Sequence, residues 1–253
     1  MQHLIGAAAG LIVGFSLGLI GGGGSILAVP LIVYAVGVSD PHVAIGTSAL
    51  AVAANAIASL VSHAHVGTVR WRIAAIFAVA GAIGAWAGSL AGKALAGPRL
   101  LACFAALMLV VGVMMLRRAP LHGDVARQPD RVSMLKLAAV GALTGTVSGF
   151  FGIGGGFLIV PGLMYAAHLP ILEAVGSALV AVAAFGLTTA VSYARSGWID
   201  WPLAAAFIGG GTLGSVVGTR LARRLSAMQG VLHRVYAAMV FLVALYMIYR
   251  SAL

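Results

Sequence analysis

The composition of this chain excludes a water-soluble globule. Of its 253 residues, 62% are hydrophobic and 8% are charged, which leaves too little polar surface to cover a soluble domain, so we predict an integral membrane protein. Fifteen Lys and Arg against five Asp and Glu give a net charge of +10. Because these charges lie in short segments between apolar runs, they indicate membrane topology rather than nucleic-acid binding.

Apolar segments follow one another along the chain in two sets. The first set covers residues 4–20, 26–37, 43–62, 73–92 and 100–116, and the second covers residues 134–151, 157–167, 171–193, 203–221 and 232–249. We therefore predict an all-α membrane protein with an N-terminal repeat at 1–116, a charged linker at 117–133 and a C-terminal repeat at 134–253. Each repeat is predicted to hold a glycine-broken helical hairpin followed by three transmembrane helices.

The two halves share a glycine pattern that indicates an internal duplication. Gly10, Gly14, Gly18, Gly21, Gly23, Gly24 and Pro30 recur 131 residues later as Gly141, Gly145, Gly149, Gly152, Gly154, Gly155 and Pro161. The sequence "TSAL" at 47–50 is matched by "GSAL" at 176–179. Chance glycine richness does not keep register across two halves, so the chain is predicted to be one duplicated unit.

Basic residues predict how the chain is oriented in the membrane. With the linker placed in the cytoplasm, eleven Lys and Arg fall on the cytoplasmic side and four fall outside, as the positive-inside rule expects. This assignment places the protein in the cytoplasmic membrane with both termini outside, and it makes the repeats inverted. Whether the short segments 26–37 and 157–167 cross the membrane or re-enter stays open.

The glycine clusters predict the substrate site. Residues 26–37 would form a helix of about 18 Å and residues 157–167 one of about 16 Å, against a hydrocarbon core of about 30 Å. Interrupted helices at matching positions of inverted halves are typical of a transporter's midplane site, and their free N–H groups favour an anion. Close helix packing is the alternative explanation for such glycines. The predicted contacts are Gly22, Gly23, Gly24 and Ser25 in the first half and Gly154, Gly155 and Gly156 in the second.

These features together resemble a known family. A glycine cluster followed by a short apolar segment with Pro, a "GTSAL" helix ending near "HAHVG" and a Trp, duplicated around a basic loop, is similar to the TauE/SafE sulfite exporter family of bacterial permeases. The resemblance covers essentially the whole chain. It implies secondary transport of a small anion such as sulfite, a sulfonate or a related acid.

Polar residues inside the apolar segments complete the predicted site. Ser48 and Asn55 are seven residues apart and share a helix face, and Ser177 lies on the equivalent helix of the second half. Serine often bonds only to its own helix backbone, whereas the amide of Asn55 needs partners that lipid cannot supply. His63, His65 and Arg195 lie at segment ends, where a gating or coupling role competes with that of incidental interfacial residues.

The predicted function is therefore secondary transport of a small anion, with the anion and the lipid bilayer as partners. An anion channel is the alternative, because it would use the same helix-end chemistry. An intramembrane enzyme is disfavoured, because the sequence offers no nucleophile, metal cluster or carboxylate pair at depth. No cofactor or metal is predicted, and coupling ion, transport direction and oligomeric state are not assigned.

Overall fold

The computed structural model describes residues 2–117, 134–154 and 156–225, and every regular element in these ranges is helical. The long helices are α1 (Gln2–Ile20), α3 (Pro41–His65), α4 (Trp71–Ala94), α5 (Gly97–Arg117), α6 (Met134–Phe151), α8 (Ile171–Ala194) and α9 (Trp201–Leu225). The all-α prediction is thus confirmed. The predicted segment 232–249 and residues 118–133 of the linker lie outside the described residues.

Two short helical segments follow the glycine clusters. The first short helix consists of a 3₁₀ turn (Gly21–Leu27), α2 (Ala28–Pro30) and a π turn (Leu31–Val36). The second short helix is α7 (Gly156–Ala167). The predicted interruption is real in the second half, where residues 152–154 are not helical. In the first half it is a change of helix type, because four glycines without side chains permit the tighter 3₁₀ turn.

Six helices are long and apolar enough to cross a membrane, namely α1, α3, α4, α6, α8 and α9. Local sequence signals explain where they begin. Pro41 takes the first position of α3, where its missing N–H costs nothing. Asp40 caps the same helix by accepting a hydrogen bond from His42 N at 2.8 Å. The chain is a multi-pass membrane protein.

The two halves pack reciprocally through glycine-lined crossings. The first helix of each half packs along a helix of the other half, α1 on α9 and α6 on α4. A Cβ added at Gly14 would collide with Gly211 O, and one added at Gly145 would collide with Gly81 O. Backbones this close require glycine, as in many membrane-helix contacts. The glycines spaced along these helices therefore serve close helix packing in both halves.

Helices α3 and α8 form the centre and run in opposite directions. Gly46 near the start of α3 lies against Tyr193 near the end of α8, and Ala53 contacts Gly186 in the middle.

The hydrogen bonds of α3 and α8 correct the alignment of the two repeats. Thr47 Oγ1 accepts from Asp200 N at 3.0 Å, and Ser177 Oγ accepts from Arg70 N at 2.9 Å. The match of "TSAL" with "GSAL" was thus wrong by one residue, because Thr47 corresponds to Ser177. The inverted orientation of the halves relative to a bilayer stays a prediction.

Candidate functional site

The two short helices meet inside the protein. The 3₁₀ turn of the first short helix packs against α7, and α3 and α8 both contact that turn. The turn also folds back on α1, since a Cβ at Gly24 would collide with Leu17 N. The two glycine clusters, 131 residues apart in sequence, therefore belong to one region enclosed by α1, α3 and α8.

The second glycine cluster has a backbone that only glycine adopts readily. Gly152 has φ +66° and Gly154 has φ +64°, in the left-handed region that disfavours other residues. A Cβ at Gly154 would lie 3.0 Å from Val52 Cγ1 and 3.4 Å from Val182 Cγ1. The backbone thus approaches α3 and α8 together, two residues before the start of α7.

Ser48 and Ser25 bring hydroxyl groups to this region. Ser48 Oγ donates to Ile45 O at 2.9 Å and lies 3.5 Å from Gly152 O, so it touches the second glycine cluster. Ser25 lies within the 3₁₀ turn and is fully buried. The structure therefore brings both predicted serines to the glycine clusters.

The remaining glycines of the predicted site fall on the same two segments. Gly22 and Gly23 lie in the 3₁₀ turn, and Gly156 is the first residue of α7. Gly155 lies outside the described residues.

Asn55 lies mid-way along α3, beside rather than within the glycine clusters. Its amide packs directly on Gly211 of α9, where a Cβ would collide with Nδ2. The side chain is fully buried, and neither Nδ2 nor Oδ1 has a hydrogen-bond partner among the described residues. An unpartnered amide at this depth is costly, which marks the position for a ligand or water.

Ser177 is occupied with a structural contact. Its hydroxyl accepts from Arg70 N at the start of α4. The guanidinium of Arg70 forms two hydrogen bonds with the Glu173 carboxylate, at 2.7 and 2.6 Å. This ion pair raises the pKa of Arg70. Ser177 therefore ties α8 to α4 at a helix end and is not brought to the glycine clusters.

The predicted gating residues lie at the two ends of the helices. His63 is buried near the end of α3, with Nδ1 3.1 Å from Thr68 Oγ1, and His65 is the exposed last residue of that helix. Arg195 follows α8, with its guanidinium 5.9 Å from the centre of the Trp86 ring. Because α3 and α8 are antiparallel, the histidines and Arg195 lie on opposite sides of the protein.

The match to known proteins covers nearly the same residues as this architecture. Residues 6–247 match the family described as Sulfite exporter TauE/SafE. The chain belongs to the TauE/SafE family. It is 52% identical to a probable membrane transporter protein of Xylella fastidiosa, over 98% of this chain and 95% of the relative.

More distant TauE/SafE relatives carry the same kind of name. The probable membrane transporter protein YunE of Bacillus subtilis is 27% identical over 89% of this chain and 90% of the relative. A probable membrane transporter protein of Haemophilus influenzae is 29% identical over 77% of this chain and 73% of the relative. No solved structure matches the chain. The family and these names identify a membrane transporter rather than an enzyme.

Sequence reasoning identified Arg195 of this TauE/SafE protein but missed the polar cluster around it. At the Arg195 end, Lys93 Nζ donates to Ser192 O at 3.1 Å and lies 5.9 Å from the centre of the Tyr193 ring. His42 stacks on Trp198 beside it, with the ring centres 4.7 Å apart. We call this group the outer cluster and define it as His42, Lys93, Tyr193, Arg195 and Trp198. Its residues come from three separate segments of the chain, so no local sequence motif indicates it. In the described part of the chain, no group of three His, Cys, Asp or Glu could hold a metal ion.

Proposed function

We propose that this protein is a secondary transporter that moves a small anion, such as sulfite, a sulfonate or a related organic acid, across the cytoplasmic membrane. The anion is held where the two short helices meet. Backbone N–H groups of Gly22–Gly24 and Gly154–Gly156 bind it, with the hydroxyl groups of Ser25 and Ser48. For this, Ser48 exchanges its hydrogen bond to Ile45 O for one to the anion. Asn55 faces α9 and lies beside this shell.

The observation that carries the proposal is the packing of the 3₁₀ turn, which contains the first glycine cluster, against α7, which begins at the second. The N-terminus of α7 has N–H groups without intrahelical partners and the positive end of the helix dipole. The positive φ at Gly154 brings that backbone against Val52 and Val182 without a side chain between them. Unpaired N–H groups in an apolar interior favour an anionic ligand.

The distribution of acidic residues supports an anion rather than a cation at this point. Asp40, Glu173 and Asp200 lie at the starts of α3, α8 and α9, and Asp124 and Asp130 fall in the linker sequence. No carboxylate of the described chain therefore lies where it would repel the anion. In the outer cluster, Lys93 and Arg195 add positive charge at one end of the path, which concentrates an anion there.

Reconstituted transport tests the proposal against the channel alternative. The purified protein is first screened for thermal stabilisation by sulfite, sulfate, taurine and acetate, and the best ligand is then used as a radiolabelled substrate in proteoliposomes. A carrier gives saturable uptake that unlabelled substrate on the opposite side accelerates. Flux that stays linear in concentration and shows no such acceleration would support a channel. Absence of flux for every anion would contradict the proposal.

A further inference from the structure

A group of buried polar side chains lies outside the anion site. The polar seam, defined as Asn55 and Ser59 on α3 and Ser215 and Thr219 on α9, is at least 96% buried at each position. None of its side-chain oxygens has a hydrogen-bond partner among the described residues. Buried polar groups are nearly always partnered in folded proteins, so a consecutive set without partners indicates a missing ligand.

The arrangement of the helices places Asn55, Ser59 and Ser215 along one contact between α3 and α9. Helices α3 and α9 run in the same direction, because Thr47 bonds to Asp200 near their starts and Asn55 contacts Gly211 further along. Ser59 lies one turn after Asn55, and Ser215 lies one turn after Gly211. Residues four apart share a helix face, so both serines extend the contact between Asn55 and Gly211.

Thr219 continues the polar seam by one more turn of α9. A Cβ at Gly18 of α1 would lie 3.0 Å from Thr219 Oγ1. The seam is therefore closed on its third side by α1, whose glycines allow α9 to approach. It is an enclosed polar strip between three helices rather than a surface feature.

Several other hydroxyl groups of the described helices satisfy themselves, although Ser148 and Thr189 are also buried without a partner there. Ser48 and Thr188 donate to carbonyl groups three or four residues earlier, at 2.9 and 2.8 Å, and so does exposed Thr212 at 2.9 Å. This is the usual behaviour of hydroxyl groups in membrane helices. Ser59, Ser215 and Thr219 do not adopt it, so their oxygens have no partner within the described part of the chain.

At the positions of Asn55 and Ser215, the duplicated half builds the same crossing with apolar residues, whereas Ser59 corresponds to buried Thr189. Gly81 takes the place of Gly211, and the ring of Phe185 covers it as Asn55 covers Gly211. Phe185 stacks with Phe77 at 6.2 Å between ring centres, and Ala85, 130 residues before Ser215, is fully buried. The fold therefore does not require Asn55 or Ser215, so their polarity serves another purpose.

We propose that Asn55 Oδ1, Ser59 Oγ and Ser215 Oγ form a binding site for a small monovalent cation of the size of Na⁺. Oxygen ligands suit hard cations, and Mg²⁺ and Ca²⁺ sites require carboxylates, which the seam lacks. Charged and titratable residues of the three helices all lie near helix ends: His3, His42, His63, His65, Arg220, Arg223 and Arg224. A neutral site at mid-helix thus holds a single positive charge.

The position of the cation site gives it a role in transport. Asn55 follows Val52 by one turn, and Val52 contacts Gly154 at the anion site. A bound cation there attracts the anion and couples its movement to a cation gradient. This coupling role rests on the transport function proposed above, whereas the site itself does not.

Thermal stability of the purified full chain tests the site without any transport. We expect NaCl to raise the Tm more than KCl or choline chloride at equal ionic strength. Ser215→Ala should raise the half-saturating Na⁺ concentration about tenfold or more, as loss of one ligand to a charged group implies. The variant should fold, since the other half carries Ala85 at this point. Thr189→Ala, in the equivalent seam of the second half, is the matched control and should leave the Na⁺ response unchanged.

Two outcomes would overturn the proposal. One is a wild-type Tm that responds equally to Na⁺, K⁺ and choline, which would mean that the polar seam holds only water. The other is an unchanged Na⁺ response in both Ser215→Ala and Ser59→Ala. Proteoliposome flux separates the two hypotheses: saturable anion uptake that ignores Na⁺ keeps the transport function and removes the coupling role. Selective stabilisation by Na⁺ without any anion flux keeps the cation site and contradicts the transport function.

Discussion

Gly154→Ala is the most direct test of the central glycine cluster. Gly154 has φ +64°, so an alanine there must adopt a left-handed conformation that costs about 1–2 kcal/mol. Its Cβ would lie 3.0 Å from Val52 Cγ1, which is closer than ordinary packing. We expect this crowding to add about 1 kcal/mol of destabilisation.

Gly197→Ala separates backbone strain from the effect on the site. Gly197 has φ +73°, and a Cβ there meets no atom within 4 Å. The control therefore carries the same backbone penalty without intruding between α3 and α8. Both variants should show a lowered Tm, but only Gly154→Ala should lose anion binding.

The assay compares ligand affinity and initial flux of both variants in detergent and in proteoliposomes. A methyl group that displaces the backbone N–H groups of the second cluster removes at least one hydrogen bond to the anion, worth about 1.5–3 kcal/mol. We expect affinity to fall about tenfold or more in Gly154→Ala and to stay unchanged in Gly197→Ala. Wild-type affinity in folded Gly154→Ala would refute the reasoning and return the cluster to a packing role.

Three further predictions test other parts of the arrangement. Gly23→Leu should abolish flux while the protein still inserts, because it adds a bulky side chain to the proposed anion shell in the 3₁₀ turn; membrane yield and flux measured together check this. In a Cys103→Ser background, cysteine at position 123 should resist impermeant thiol reagents in intact cells and cysteine at position 253 should react, and the opposite pattern would contradict the predicted topology. Lys93→Gln should weaken anion affinity a few-fold at low salt and less at high salt. The control is Lys136→Gln, because the ammonium of Lys136 also lies over a tyrosine ring, and it should leave the affinity unchanged. Equal affinities in the two variants would show that the outer cluster does not contribute to the anion path.

The helices could be predicted closely because charges and turns bound the apolar runs. The segments predicted at 134–151 and 157–167 are observed as Met134–Phe151 and Gly156–Ala167. The glycine clusters were also informative, because consecutive glycines weaken a helix and so require a special reason. The packing of the 3₁₀ turn against α7 inside the protein is consistent with that reason.

The partners of individual side chains could not be predicted. The spacing of Ser48 and Asn55 fixes a shared helix face, but it does not say which helix fills that face at each level. In the structure Ser48 meets Gly152, and Asn55 meets Gly211 on α9. Contacts between halves depend on how the halves cross, and this information is spread over the whole chain.

The reciprocal packing of the halves has a consequence for biosynthesis. About 180 residues separate the end of α1 from the start of α9, its principal neighbour. At about 5–20 residues per second, α1 enters the bilayer roughly 10–40 s before α9 is made. During that time lipid tails cover its glycine face, which they do at little cost because lipid is as apolar as the helix itself. The contact between α1 and α9 therefore forms late, when the backbone of α9 displaces lipid from the glycine face of α1. The ribosome must finish the second half before the first half has its final neighbours.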